Sequence, residues 1–173
     1  SGDFSHHPVS NFFVPFWDSF DRNSFDLIGY QASNISDDVT EHLETTATLW
    51  RNVVSTSDPE LAQQIYDDEI DILIDLSGHT TYSRLPAFGL RPAPLQMSWI
   101  GYPGTTGMKA VDYRILPGFI QKVEKMHEQF SEKVLYVSME KTFEPHPESP
   151  DVSALPAIQN GYLTFGSFNR FNK

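Results

Sequence analysis

With 173 residues, 39% of them hydrophobic and 13% aromatic, the chain can bury one sizeable core, and no apolar run reaches the ~20 residues of a membrane-spanning helix. A net charge of −11, from 23 acidic against 12 basic side chains, argues against phosphate-backbone binding as the main activity, because that affinity rests on Lys and Arg. The absence of cysteine excludes disulfides and thiolate metal sites, which fits a cytoplasmic setting.

The acids cluster at Asp37-Asp38, at Asp67-Asp68-Glu69 and over 144–151. They read as a solvated surface or as a face that favours basic protein partners. No secretory leader is read in the first residues, which look like the interior of a motif, so a leader upstream of Ser1 stays open.

Residues 11–20 are apolar and aromatic on more than one face and predict a buried helix disturbed at Pro15. Residues 25–32 predict a short strand. Val39, Leu43, Ala47 and Trp50 share helical spacing and predict a helix over 37–54, capped by Asp37 or Asp38. Ser57-Asp58-Pro59-Glu60 opens a further helix carrying Leu61, Ile65 and Ile70.

Residues 72–76 read as a buried strand running into the turn Ser77-Gly78-His79-Thr80. A second such strand is expected over 95–100, its approach set by Pro92 and Pro94. The turn after it, with Gly101, Pro103, Gly104, Thr105, Thr106 and Gly107, has little side-chain bulk, so a ligand can approach its backbone. Residues 112–116 and 133–137 predict strands, with a helix or active loop over 122–130 between them. Four prolines and no apolar period mark 144–156 as linker, and 162–168 begins a new strand. Strands alternating with helices predict an α/β fold, a doubly wound parallel sheet whose ligands bind beyond the carboxyl ends of the strands.

The run LRPAPLQMSWIGYPGTTG over 90–107 resembles the O-linked N-acetylglucosamine transferase family, glycosyltransferase family 41, with its SPINDLY-like members. DILIDLSGHT at 71–80, SGDFSHHP at 1–8 and FGSFNRFNK at 165–173 are similar to further family segments in the same order. The resemblance implies two Rossmann-like lobes in the GT-B arrangement. Residues 1–143 would form the N-terminal lobe, 144–161 a Pro-rich linker, and 162–173 the first strand of a truncated second lobe.

The activity implied is inverting transfer of a sugar, GlcNAc from UDP-GlcNAc first, to Ser and Thr hydroxyls of an acceptor protein. No metal or other cofactor is implied, and neither nucleic acid nor membrane is expected as a partner. Family members usually carry tetratricopeptide repeats, and no ~34-residue self-similarity is visible here. The chain would hold one wall of a two-wall cleft and is expected to be inactive alone. The strand expected before Ser1 would leave an open sheet edge if absent, which offers a route to a homo-oligomer.

Such a transfer needs an acceptor oxygen in line with the anomeric carbon, a place for its proton, and positive charge for the departing diphosphate. Through the resemblance, Lys173 matches the lysine that stabilises the diphosphate, and His7 matches the histidine of an HP pair beside the sugar donor. Asp3 matches an aspartate considered as base, with a loop aspartate satisfying backbone N–H groups as its plain alternative. Pro8, His79, Ile100, Gly101 and Arg170 fall at positions lining the sugar donor. A structural role for His79 stands beside that one. His6 and His7 are adjacent, without the spacing of a metal pair.

Val9, Arg170 and Asn172 depart from the animal transferases, where Thr, Gln and Tyr stand, and this leaves UDP-glucose and GDP-fucose open as donors. Two other functions remain: a non-catalytic protein-binding module, and a GT-B enzyme acting on lipid or small glycans. The lack of a basic amphipathic face disfavours membrane-bound acceptors.

Overall fold

The computed structural model describes residues 1–138, 143 and 148–167. Helix α1 (Ser10–Asp18) buries Phe13 and Trp17, one turn apart, and accommodates Pro15 in its interior. Strand β1 (Ile28–Gln31) lies within the expected 25–32. Helix α2 (Asp38–Thr46) starts from a capping box, in which the Asp37 carboxylate accepts the Thr40 N–H at 3.1 Å and the Thr40 hydroxyl faces the Asp37 N–H. The same device opens α3 (Asp58–Asp67), between Ser57 and Glu60, with Pro59 in its first turn.

The expected helix over 37–54 stops at Thr46, and Leu49–Asn52 is strand β2. Ala47 turns extended, and the Thr48 N–H leaves the helix ladder for the Leu27 carbonyl at 2.8 Å. Trp50, whose spacing matched the helix, instead packs its ring where a Cβ on Gly29 would be, and donates from Nε1 to Gln31 Oε1 at 3.2 Å. Threonines at 45, 46 and 48 weaken helix continuation, and cross-strand packing of the Trp decides the outcome.

Strand β3 (Ile72–Asp75) is followed by a short helix α4 (Leu85–Gly89), which the sequence reading did not anticipate. Strands β4 (Leu95–Trp99), β5 (Tyr113–Pro117) and β6 (Lys133–Val137) lie where expected. The interval 122–130 holds only 3₁₀ turns, Gly118–Lys122 and Met126–Gln129, because Val123 is extended and Lys125 is left-handed at φ 59°. A last short helix, α5 (Pro156–Asn160), follows the Pro-rich segment. Among the described residues 162–167 pair with no strand.

All pairings are parallel, and the strands form two sheets, β1-β2 and β3-β4-β5-β6, rather than one unbroken ladder. The Ser1 backbone brackets Gln31 at the β1 edge, donating to Tyr30 O at 2.9 Å and accepting from Ala32 N at 2.8 Å. Its hydroxyl lies 3.4 Å from that of Ser77 beyond β3, so residue 1 stands between the two sheets.

Core side chains occupy both faces, as a doubly wound fold requires. Leu73 packs with Leu61, Ile65, Ala87 and Phe88 from α3 and α4, while its neighbour Ile74 packs with Phe13, Trp17 and Leu43 from α1 and α2. Asp68 at the end of α3 ties that helix to the smaller sheet, accepting from Arg51 Nε at 2.7 Å and the Tyr30 hydroxyl at 2.6 Å. Among the described residues no helix is long and apolar enough to cross a membrane.

Leu43 is fully buried and Ile72 is 50% exposed, so Leu43→Ala is expected to cost ~2–5 kcal/mol and Ile72→Ala under about 1 in urea unfolding. Equal losses would contradict this core. The hydrogen bond from Arg51 holds the Asp68 carboxyl below its ordinary 3.8, against the opposing effect of burial. Its stabilisation is therefore complete above that ordinary value and is lost as pH falls through the lower folded-state value. Thermal melts taken from neutrality into acid should show a flatter acid limb for Asp68→Asn than for the wild type.

Candidate active site

The loops that leave β3 and β4 meet at the carboxyl ends of the larger sheet. A Cβ on Gly101 would stand 1.9 Å from the Leu76 carbonyl oxygen, so only a glycine permits this approach. Gly78, left-handed at φ +57°, faces Tyr102, whose Cβ would lie 2.4 Å from an added Cβ. The two loops thus interlock through a glycine on each side. Ile100 itself sits at φ 59°, an unfavourable region for a β-branched residue and one where strain of ~1–3 kcal/mol is typically held at functional sites.

His79 is exposed at the mouth of this junction. Its Nε2 lies 2.9 Å from the Thr106 carbonyl oxygen, and its ring meets Tyr102 edge-on at 5.3 Å. Below the loops, Asp75 accepts the N–H groups of Ser77 at 3.1 Å and Gly78 at 2.8 Å. Buried Arg114 donates to Ser98 Oγ at 2.7 Å and to the Tyr102 carbonyl oxygen. Burial pushes its pKa down, and the charges of Asp75 and Glu132 oppose that shift.

A second group of residues carries Asp3 and His7. The Ser10 hydroxyl is placed to donate to the Asp3 carbonyl oxygen at 2.7 Å, the Thr40 hydroxyl reaches the Phe4 carbonyl oxygen, and the Asp37 carboxylate accepts the His6 N–H at 2.6 Å. Asp37 therefore caps α2 and anchors the histidine pair at once. His6 pairs with Asp38 at 2.6 Å on the surface. The His7 Nδ1 lies 3.8 Å from the Asp3 carboxylate and accepts the Val9 N–H at 3.2 Å. Pro8 follows directly, and α1 begins at Ser10 with Val9 as its uncapped first position.

The structure thus brings Asp3 beside His7, and His79 beside the loop of Ile100 and Gly101. Gly2 joins the two groups, because a Cβ there would meet the Tyr82 ring system of the β3–α4 loop at 2.5 Å. Arg170 and Lys173 lie outside the described residues. Sequence reasoning missed Arg114 and Glu132. An Arg inside an otherwise apolar strand was the available signal for the first, and nothing local marked the second. Surface hollows flank α3 beside Arg51 and beside Leu90, and none of Asp3, His7, His79, Ile100 or Gly101 lines them.

An all-parallel α/β unit with helices on both faces and glycine turns at the strands' carboxyl ends is a Rossmann-like lobe. Residues 1–146 match the family described as Glycosyl transferase family 41, and the chain belongs to that family. It is 35% identical over 157 residues to a protein named probable UDP-N-acetylglucosamine-peptide N-acetylglucosaminyltransferase SPINDLY of Eustoma exaltatum subsp. russellianum, covering 88% of this chain and 17% of that protein.

The Arabidopsis thaliana protein of the same name is 34% identical and is matched across 100% of this chain and 19% of its own length. An O-GlcNAc transferase mutant of Thermobaculum terrenum has a similar structure, with a TM-score of 0.80 at 34% identity over 88% of this chain and 29% of that one. That neighbour bears out the expected catalytic-lobe fold. The chain spans under a fifth of the length of these curated relatives.

Gly101→Ala places a methyl group against the Leu76 carbonyl, whereas Gly107→Ala meets open space and bears only the strain of φ +71°. Overpacking of this kind costs ~1–3 kcal/mol. Amide exchange over 76–80 and 100–107 should rise in Gly101→Ala and stay near wild type in Gly107→Ala; similar exchange in both would show that the loops do not interlock here.

Proposed function

We propose that this chain is the first lobe of an inverting glycosyltransferase that moves a sugar, GlcNAc from UDP-GlcNAc, to Ser or Thr hydroxyls of proteins. The observation that carries the reading is the interlocked pair of strand-end loops in a family 41 lobe, facing the region where Rossmann-like folds take nucleotides. The names of the Eustoma and Arabidopsis relatives support UDP-GlcNAc as donor and a peptide as acceptor.

In this reading residues 1–143 form the lobe and 144–161 the linker to a second one, which supplies the opposite wall of the cleft. The lobe alone is then inactive. The acceptor oxygen attacks the anomeric carbon, the bond to the diphosphate breaks with its electron pair leaving on the nucleotide, and the acceptor proton passes to a base in the cleft. Asp3 is our candidate for that base.

His7 suits a different role. Its Nδ1 accepts the Val9 N–H, so the neutral ring carries its proton on Nε2 and donates from there to an oxygen of the sugar donor. Lys173 and Arg170 would supply positive charge to the departing diphosphate, Lys173 as a compact point charge. Pro8, Ile100 and Gly101 shape the surface against which the sugar lies.

The test is nucleotide release by the full-length protein given UDP-GlcNAc, UDP-glucose or GDP-fucose in turn. Release is expected with UDP-GlcNAc, reduced about a hundredfold or more in Lys173→Ala and in His7→Ala. Release from another donor alone would correct the sugar. A folded protein that releases nothing from any of them would favour a non-catalytic protein-binding module.

A further inference from the structure

Glu132 stands immediately before β6, is 4% exposed, and has no part in the sugar-donor wall described above. Its carboxylate takes the Thr105 hydroxyl at 2.6 Å, the Thr106 N–H at 2.6 Å, the Thr106 hydroxyl, and the Ser131 hydroxyl at 3.1 Å. Such a set accounts for the lone pairs of an ionised carboxylate and leaves no room for a proton. Burial raises its pKa, but the bonds from Thr105 and Thr106 outweigh that effect and hold the carboxyl below its ordinary range.

Thr106 is also the residue that His79 touches. Its N–H is held by Glu132 and its carbonyl oxygen meets His79 Nε2 at 2.9 Å. A carbonyl oxygen only accepts, so Nε2 donates and the neutral ring leaves Nδ1 with its lone pair. The edge-on Tyr102 ring, 5.3 Å away, limits rotation of the imidazole about that bond.

We infer that Glu132 is a positioning residue: through the Thr106 backbone it holds His79 as the Nε2–H tautomer, which presents Nδ1 to the cleft as an acceptor for a hydroxyl or amide N–H of the sugar. The ligand named here rests on the glycosyltransferase reading, and the tautomer does not. Anionic diphosphate oxygens, which offer no proton, are poor partners for Nδ1 and belong elsewhere in the cleft.

Two measurements on the full-length protein separate these claims. Imidazole nitrogen shifts, with isotope-labelled histidine and the His79 signal assigned by its loss in His79→Gln, should show the Nε2–H form in wild type and a mixture of tautomers in Glu132→Gln. An Nδ1–H form in the wild type overturns the inference without needing any variant to fold, and so does an unchanged tautomer in Glu132→Gln.

Steady-state kinetics form the second arm. Glu132→Gln should raise KM for the sugar donor about tenfold with kcat within about threefold, and should add less than about twofold to KM in a His79→Ala background. Independent, additive losses in the two variants overturn the positioning role, since a purely structural Glu132 would act without His79. If the wild type turns over no sugar nucleotide, the glycosyltransferase reading fails and the nitrogen shifts alone decide the role of Glu132.

Discussion

Arg114 enters the interior from β5 at 2% exposure, where an unpaired guanidinium would be costly. The structure keeps it there by directing its donors to the carboxyl end of the larger sheet, with Ser98 on one side and the Tyr102 carbonyl on the other. Asp75, whose charge acts on Arg114, receives the amides of Ser77 and Gly78, so the loops after β3 and β4 are organised from one buried polar cluster. Among the described residues Arg114 Nε has no hydrogen-bond partner, which is a remaining cost of burying the group. Removing one member of such a buried charged set typically costs ~3–5 kcal/mol because the other charge is stranded. That gives the loops a rigidity that apolar packing under a glycine-rich turn cannot supply.

The same logic of polar anchoring recurs around Asp3 and His7. Asp37 is at once the cap of α2 and the acceptor for the His6 N–H, while Thr40 and Ser10 secure the backbone carbonyls around Phe4 and Asp3. Beneath, Phe4, Phe13 and Trp17 stack in one aromatic chain with ring centroids 5.4 and 5.6 Å apart. Helix packing therefore sets where Asp3 and His7 lie, and hydrogen bonds set how they are presented. In the proposed arrangement both groups belong to one wall of a cleft whose other side lies outside these residues.

Much of this is legible in the sequence. The caps at Asp37 or Asp38 and at Ser57 or Asp58, the apolar strands over 72–76 and 95–100, and the glycine turns behind them are local signals, each decided within a few residues of chain. Strand β2 was not legible, because Trp50 continues the helical spacing of Leu43 and Ala47, and only Gly29 on a neighbouring strand makes a place for its ring. Helix α4 was missed because five residues carry too little periodicity to register. Motif resemblance pointed to His7, His79 and Gly101, but not to the contacts that orient them.

By itself, the sequence determined the α/β class, the order of most elements, the absence of disulfides and the family, because these depend on residue type and short-range spacing. Tertiary structure alone decided the partners of the buried charges. Arg114 lies 39 residues from Asp75 and Glu132 lies 26 from Thr106, as their numbers give by difference, and separations of that length carry no periodic signal. The split into two parallel sheets with Ser1 between them was likewise a product of folding. Hydrogen-bond pairing across such distances is settled only when packing of the helices against both faces has brought the strand ends together.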